Sequence, residues 1–375
     1  MAVKVTHVVR QYLPSVGGLE EVVRNIALRQ NHSDNHQPRI VTLNRLFRNS
    51  SKTLPEKELI EGVEVVRLPY RGSNRYPVCP QVLRELGGAD IVHVHGVDFF
   101  YDYLALTRRL HQRPLVLSTH GGFFHTQFAS GPKRLYFNTI TRMSATAYSK
   151  VVATSRNDGR LFRQIINNGK LKVIENGVDV DKFRGLASEQ PAPTLIYFGR
   201  WSENKGLLEA LELFAQLCAI DDHWRLIIAG REYDYTRDDL LAEVARLELS
   251  GRVTIAPNPE LAHLGELIRQ ASYYLCLSRH EGFGIAAIEG MSAGLVPVLS
   301  DIPPFRRLVE QSGLGILHSN TSPQSTINAL LTRQQQAQTC HQRERSQAIA
   351  FSHRYAWPQV ADQYLRLYEQ LESAP

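Results

Sequence analysis

Short runs dense in Val, Ile, Leu and aromatic residues alternate along the chain with stretches whose apolar residues recur every three or four positions. In the first half the short runs are KVTHVV (4–9), RIVTL (39–43), VEVVRL (63–68), DIVHVH (90–95), PLVLSTH (114–120) and KVVATS (150–155). In the second half they are TLIYFG (194–199), RLIIAG (225–230), RVTIAP (252–257), YYLCLS (273–278) and VPVLS (296–300). Each has the length of a strand, and most are continuously apolar, as strands covered on both faces are. Helical spacing marks 19–30, 132–148, 156–168, 205–219, 237–249, 260–271 and a segment opening at Gly284. This alternation predicts an α/β protein with parallel sheets layered by helices.

A boundary is readable in the same pattern. NGVDVDKF (176–183) is rich in turn formers, and the prolines of SEQPAP (188–193) cannot continue a helix. A new strand begins at Thr194, so the expected domains are 1–176 and 177–354. The last stretch, 355–371, has apolar and aromatic residues at helical spacing and suits a helix packed on either domain.

Composition narrows the class. The chain has 375 residues, 43% hydrophobic and 21% charged, which are values of a globular protein with room for two cores. It holds no apolar run of about 18 residues, so no membrane-spanning helix is expected. The four cysteines, Cys79, Cys218, Cys276 and Cys340, are too far apart for a metal or redox motif and fit a reducing, cytoplasmic setting. The net charge of +6 is unevenly spread. Residues 1–176 carry 25 Lys and Arg against 13 Asp and Glu, and the remainder 18 against 24. A basic first half suits an anionic ligand or surface. No zinc-finger, RNP-type or basic-zipper pattern accompanies the charge, so nucleic acid is not expected as a partner.

Four stretches carry candidate chemistry. In SRHEGFGIAAIEGMSAG (278–294) a strand ends in a Gly-x-Gly turn and a helix begins near Gly284. The first-turn amides of such a helix attract anions. Glu281 precedes the turn, and Glu289 is a lone carboxylate in an otherwise apolar helix, a costly group to bury without a partner. Two carboxylates here suit the hydroxyls of a ribose and a sugar. Equally, Glu281 can cap the helix and Glu289 can pair with a buried basic group. In YFGRWSENKG (197–206), Arg200 follows a strand and Lys205 opens a helix, so the two can neutralise a diphosphate or remain solvated on a loop. In QYLPSVGGLEE (11–21), Gly17 and Gly18 let backbone approach a ligand at another helix start, without the GxGxxG dinucleotide fingerprint. In LSTHGGFFHT (117–126), His120 ends a strand where it can contact a sugar hydroxyl, with Phe123 and Phe124 as a wall. His93 and His95 alternate on one strand, so only one of them is expected at a ligand site, and they are too few to argue for a metal.

Taken together and in this order, these stretches resemble the retaining glycosyltransferases of family 4. The match runs from about residue 3 to 371: E-G-F-G-x4-E with its Glu281 and Glu289, G-R-x4-K-G at 199–206, P-S-V-G-G-L-E, and the strand-end His120. The stretch THGGFFHT is similar to one in bacterial exopolysaccharide α-mannosyltransferases that extend a polyprenyl-diphosphate-linked oligosaccharide. The resemblance implies the GT-B fold, two Rossmann-like domains with a nucleotide-sugar site in the cleft, and a final helix crossing back to the first domain. It implies that Arg200 and Lys205 hold the diphosphate, Glu289 the ribose, and Glu281 with the amides of Phe283 and Gly284 the donor sugar. Gly17 and Gly18 would approach the diphosphate or acceptor, and His120 the donor sugar. It further implies GDP-mannose as donor, a polyprenyl-diphosphate-linked saccharide as acceptor, and no required metal ion. The basic first domain, with Arg108, Arg109, Arg113, Lys133, Arg134 and Arg142, would meet an anionic inner-membrane surface. A UDP-sugar donor and a non-catalytic nucleotide-sugar-binding GT-B protein are the rival readings.

Overall fold

A computed structural model describes residues 2–47, 52–74, 76–121 and 135–373. The chain forms two compact units, residues 1–177 with 357–375, and residues 178–356.

In unit 1 an eight-stranded sheet has the order β10-β9-β8-β7-β1-β2-β4-β3. Its strands are β1 (Val3–Val9), β2 (His36–Leu43), β3 (Lys57–Ile60), β4 (Val63–Leu68), β7 (Ile91–His95), β8 (Leu115–Ser118), β9 (Lys150–Ala153) and β10 (Leu171–Val173). All pair in parallel except β3, which runs antiparallel to β4. A small hairpin, β5 (Arg71–Ser73) and β6 (Tyr76–Val78), stands apart. The central β1 exposes only Lys4, so its near-continuous run VKVTHVV is what a strand covered on both faces requires.

One covering layer comes from the far end of the chain. Helix α1 (Gly18–Asn31) and the last helix, α13 (Trp357–Glu372), belong to unit 1. Val360, Tyr364, Leu367 and Tyr368 of α13 pack with Val3, Val5, Ile91, Val116 and Val152 of the sheet. Arg29 of α1 donates to Asp362 of α13 at 2.6 Å. Four such buried side chains at about 1.5–3 kcal/mol each outweigh an exposed ion pair worth under about 1 kcal/mol. Burial therefore holds this helix, and the ion pair sets its register. Between α1 and α13 lie α2 (Phe99–Leu106), α3 (Arg108–His111), α4 (Arg142–Thr146) and α5 (Arg156–Phe162) in unit 1.

Unit 2 is built on a six-stranded parallel sheet, β13-β12-β11-β14-β15-β16. These strands are β11 (Thr194–Trp201), β12 (Arg225–Glu232), β13 (Val253–Pro257), β14 (Tyr273–Cys276), β15 (Val296–Ser300) and β16 (Ile316–His318). Helices α6 (Leu207–Cys218), α7 (Arg237–Arg246), α8 (Leu261–Ile268), α9 (Ile285–Ala293), α10 (Pro303–Ser312), α11 (Pro323–Gln334) and α12 (Gln338–Ser352) complete one continuous core. The small residues of α9 explain its position. A Cβ on Gly290 would lie 2.9 Å from the Tyr274 ring, so α9 sits directly on β14. No helix among the described residues is long and apolar enough to cross a membrane.

Candidate active site

In a parallel α/β sheet the carboxyl ends of the strands open onto loops, and ligands bind there. At that edge of unit 2 the glycines of the sequence motifs have steric tasks. Gly199 and Gly230 sit at φ +150° and +142° on adjacent strands, and a Cβ on Gly230 would fall 1.8 Å from the Gly199 carbonyl oxygen. Gly206, at φ +66°, ends the short turn Glu203–Lys205, and a Cβ there would meet the Leu277 carbonyl at 2.2 Å. Only glycine fits both the dihedral and the gap. The loop after β11 is thereby pressed against the loop after β14. Asn204 Nδ2 donates to the His280 carbonyl, and the Arg279 amide to the Asn204 carbonyl, each at 2.8 Å.

That contact brings two of the sequence-predicted residues together. Lys205 Nζ lies 2.5 Å from Glu281 Oε1, and Ser278 Oγ donates to the same oxygen at 2.9 Å. The Glu281 side chain is 14% exposed, so its charge is compensated locally while one edge stays accessible. Arg200 is exposed on the same strand end, its guanidinium over the Tyr233 ring at 5.3 Å, a cation–π contact.

Glu289 projects from α9, 17% exposed, with Oε1 3.2 Å from Lys182 Nζ. Lys182 in turn lies over the Phe183 ring at 4.7 Å. The isolated carboxylate of the sequence thus has a basic neighbour, in a segment read from sequence only as a hinge. Gly284 is the N-cap of α9, sits at φ +93° and supplies no side-chain cap. A Cβ there would be 2.7 Å from the Phe305 ring. Phe283 packs its ring on Tyr355 at 5.2 Å. An uncapped helix start three residues beyond Glu281, the partner of Lys205, has the donors that a diphosphate accepts from.

The remaining predicted residues belong to unit 1. Gly17 is the N-cap of α1 in extended conformation, again without a side-chain cap, and a Cβ on Gly18 would meet nothing within 4 Å. His120 follows β8 in the left-handed conformation, φ +50°, with Gly121 at φ +67°. Its Nε2 lies 3.1 Å from His95 Nδ1. Gly122, Phe123, Phe124, Lys133 and Arg134 lie outside the described residues.

The expectation for His93 and His95 needs correcting. Residues two apart on a strand share a face, and both rings point to the same side, buried, with centroids 4.0 Å apart. His7, opposite His93 in the register, joins them. The ring nitrogens of this trio already have partners. His7 Nδ1 meets His95 Nε2 at 2.9 Å, His7 Nε2 meets Gln30 Oε1 at 2.6 Å, and His93 bonds Tyr368 Oη and Ser118 Oγ. The cluster is a hydrogen-bonded array inside the unit. Burial lowers His7 to about 4 and His120 to about 3, and holds His93 and His95 well below 6.5, with neighbouring histidines adding to the depression of both.

Residues 16–182 match the family model Glycosyltransferase Family 4, and residues 178–347 match Glycosyl transferases group 1. The chain is 48% identical over 372 residues to a GDP-mannose:cellobiosyl-diphosphopolyprenol alpha-mannosyltransferase of Xanthomonas campestris, covering 99% of this chain and 98% of that one. It is 47% identical, at the same coverage, to the protein of the same name from Xanthomonas oryzae pv. oryzae. HepE from Anabaena, solved in complex with UDP and glucose, superposes with a TM-score of 0.69 at 18% identity, over 98% of this chain and 100% of that one. Two Rossmann-like units of this kind are the GT-B fold, and its activity class is glycosyl transfer. The chain belongs to glycosyltransferase family 4.

The buried histidines carry a prediction. A histidine whose folded pKa is depressed is neutral when folded and ready to protonate when unfolded. Its stabilisation is complete above the ordinary value of 6.5 and is lost as pH falls through the window toward about 4 for His7 and about 3 for His120. The melting temperature is therefore expected to fall between pH 7.5 and 5. Unfolding at pH 5.5 should take up protons, seen calorimetrically as an enthalpy that depends on the buffer's ionisation heat. Equal enthalpies in two buffers of different ionisation heat would contradict this.

Proposed function

We propose that the protein transfers mannose from GDP-mannose to a polyprenyl-diphosphate-linked saccharide, with retention at the anomeric carbon. The observation that carries this reading is the 48% identity, over nearly the whole of both chains, to a relative named for that donor and acceptor. The geometry of unit 2 supports it with a matching chemistry. Arg200 and Lys205 are assigned to the donor diphosphate, Glu289 to the ribose diol, and Glu281 with the amides of Phe283 and Gly284 to the sugar. Lys182 is a positioning residue, holding the Glu289 carboxylate at 3.2 Å. Gly17 and Gly18 approach the diphosphate or acceptor, and His120 contacts the donor sugar.

In the reaction the bond from the anomeric carbon to the β-phosphate oxygen breaks, and its electron pair stays on the leaving GDP. Arg200, Lys205 and the start of α9 stabilise that developing charge. The acceptor hydroxyl oxygen bonds to the anomeric carbon from the face the phosphate leaves, and its proton passes to the departing phosphate oxygen. The reading gives the charge that a divalent ion would neutralise to Arg200 and Lys205, and so includes no metal. Transfer from GDP-mannose to a synthetic polyprenyl-diphosphate disaccharide is expected to proceed in excess EDTA and give an α-linked product. Arg200→Ala should lower kcat/KM by about tenfold or more, the worth of a charged hydrogen bond. A wild-type enzyme that EDTA silences, or that gives no product, would overturn the assignment.

A lipid-linked acceptor supports a position at the cytoplasmic face of the inner membrane, and unit 1 has a surface of suitable chemistry. Leu106, Leu110 and Met143 are 81%, 77% and 67% exposed, beside the basic Arg108, Arg109 and Arg142. Leu106 lies one helical turn beyond Asp102, which accepts from Ser144 Oγ of α4 at 2.7 Å, so α2 and α4 are neighbours. Arg113 is committed to the Gly87 carbonyl. Exposed leucines flanked by arginine suit an anionic lipid surface, each basic group adding about 1 kcal/mol. Co-sedimentation with anionic vesicles is expected at low salt and should be reduced in Leu106→Asp. No retention at low salt would refute the docking surface.

A further inference from the structure

From His120 a line of side chains runs into unit 1. His120 Nε2 meets His95 Nδ1 at 3.1 Å, His95 Nε2 meets His7 Nδ1 at 2.9 Å, and His7 Nε2 meets Gln30 Oε1 at 2.6 Å. His95, His7 and Gln30, with His93 and its partner Ser118 beside them, are buried in the interior of unit 1. Packing alone does not ask for them, since apolar side chains would fill the same space without a desolvation cost. They come from three different elements, β7, β1 and α1, yet join end to end.

The line has a direction. A neutral imidazole carries one donor and one acceptor nitrogen, and burial keeps these rings neutral. Gln30 turns its amide oxygen to this ring and leaves its Nε2 unpartnered among the described residues. In that orientation the oxygen can only accept, so His7 donates from Nε2 and its Nδ1 accepts. His95 must then donate from Nε2, and its Nδ1 accepts. His120 must in turn donate from Nε2, which leaves its Nδ1 without a proton. His93 stands beside the line, its ring 4.0 Å from that of His95, fixed by Tyr368 of α13 and by Ser118. The left-handed backbone at His120, which costs a non-glycine residue on the order of 1 kcal/mol, goes with the return of its ring to the end of the line.

We propose that Gln30, His7 and His95 are positioning residues that hold His120 as the Nε2–H tautomer, presenting Nδ1 as the acceptor for a hydroxyl proton of the sugar. The use of that acceptor rests on the contact between His120 and donor sugar proposed above; the tautomer does not.

The test is a long-range proton–nitrogen correlation spectrum of [15N]histidine-labelled full-length protein, with His120 assigned by its loss in His120→Gln. The expected spectrum shows His120 protonated at Nε2 and bare at Nδ1. In Gln30→Leu, and in His7→Phe as a second variant, the His120 signals should shift toward a mixture of tautomers. In both, kcat should fall about 2- to 10-fold, the worth of one neutral hydrogen bond, with KM for the donor little changed. A wild-type His120 protonated at Nδ1, or a His120 signal unmoved in whichever variants retain the wild-type circular dichroism spectrum, would overturn the proposal. Full activity in His120→Gln, with the expected wild-type tautomer, would remove the sugar contact and leave the tautomer assignment standing.

Discussion

The Lys205–Glu281 ion pair fixes how the carboxyl edge of the unit 2 sheet is built. It joins the loop after β11 to the loop after β14, two strands that are neighbours in the sheet although 79 residues separate their first positions. A carboxylate held largely out of water needs a cation at bonding distance. The cation arrives only because Gly206 tolerates a left-handed turn pressed on the Leu277 carbonyl. From that turn follow the start of α6, the placement of Arg200 on the strand before it, and the path by which 277–284 leads into α9. The Lys182–Glu289 pair repeats the arrangement one helix turn further on. Each acidic group assigned to substrate is compensated by a lysine in the unliganded protein, so little charge is left uncompensated before the donor enters.

Unit 1 solves the opposite problem. It buries His7, His93 and His95 as neutral rings bonded to one another, to His120, to Gln30, to Ser118 and to the hydroxyl of Tyr368. Neutral groups bonded in a line cost far less to bury than charges. Because Tyr368 belongs to α13, the last helix does more than cover the sheet with Val360, Tyr364 and Leu367: it closes the polar array. The same side of the sheet thus joins apolar packing near Val3 and Val5 to hydrogen bonding near the carboxyl ends of β1 and β7.

Much of this was legible in the sequence because parallel strands covered on both faces leave continuous apolar runs. β1, β7, β11 and β12 fall where their runs stand. What escaped was short, exposed or polar. β3, whose residues Lys57–Leu59 are exposed, lacks the apolar run, and β10 and β16 have three residues each. Helix α12, with its QTCHQRERSQ stretch, carries little apolar periodicity and is held by a few residues such as Ala348 and Phe351. The residues of the unit 2 cluster were readable from the spacing of Glu281, Glu289, Arg200 and Lys205. Their partners were not: Lys182 lies about a hundred residues from Glu289 in a turn-rich segment, and only the fold brings it near. The histidine array was missed for a simpler reason. His93 and His95 are two residues apart and so share a face, and the period-2 rule would have placed them side by side.

The central claim is that the two carboxylate–lysine pairs of unit 2 form one nucleotide-diphosphate site. Calorimetric titration of GDP into the wild type, Lys205→Ala and Glu289→Ala tests it most directly. Lys205 and Glu289 are assigned to different parts of the ligand, the diphosphate and the ribose. Each substitution should therefore weaken GDP by about tenfold or more, the worth of a hydrogen bond to a charged group. Wild-type affinity in both variants, with their folded structure intact, would contradict the account.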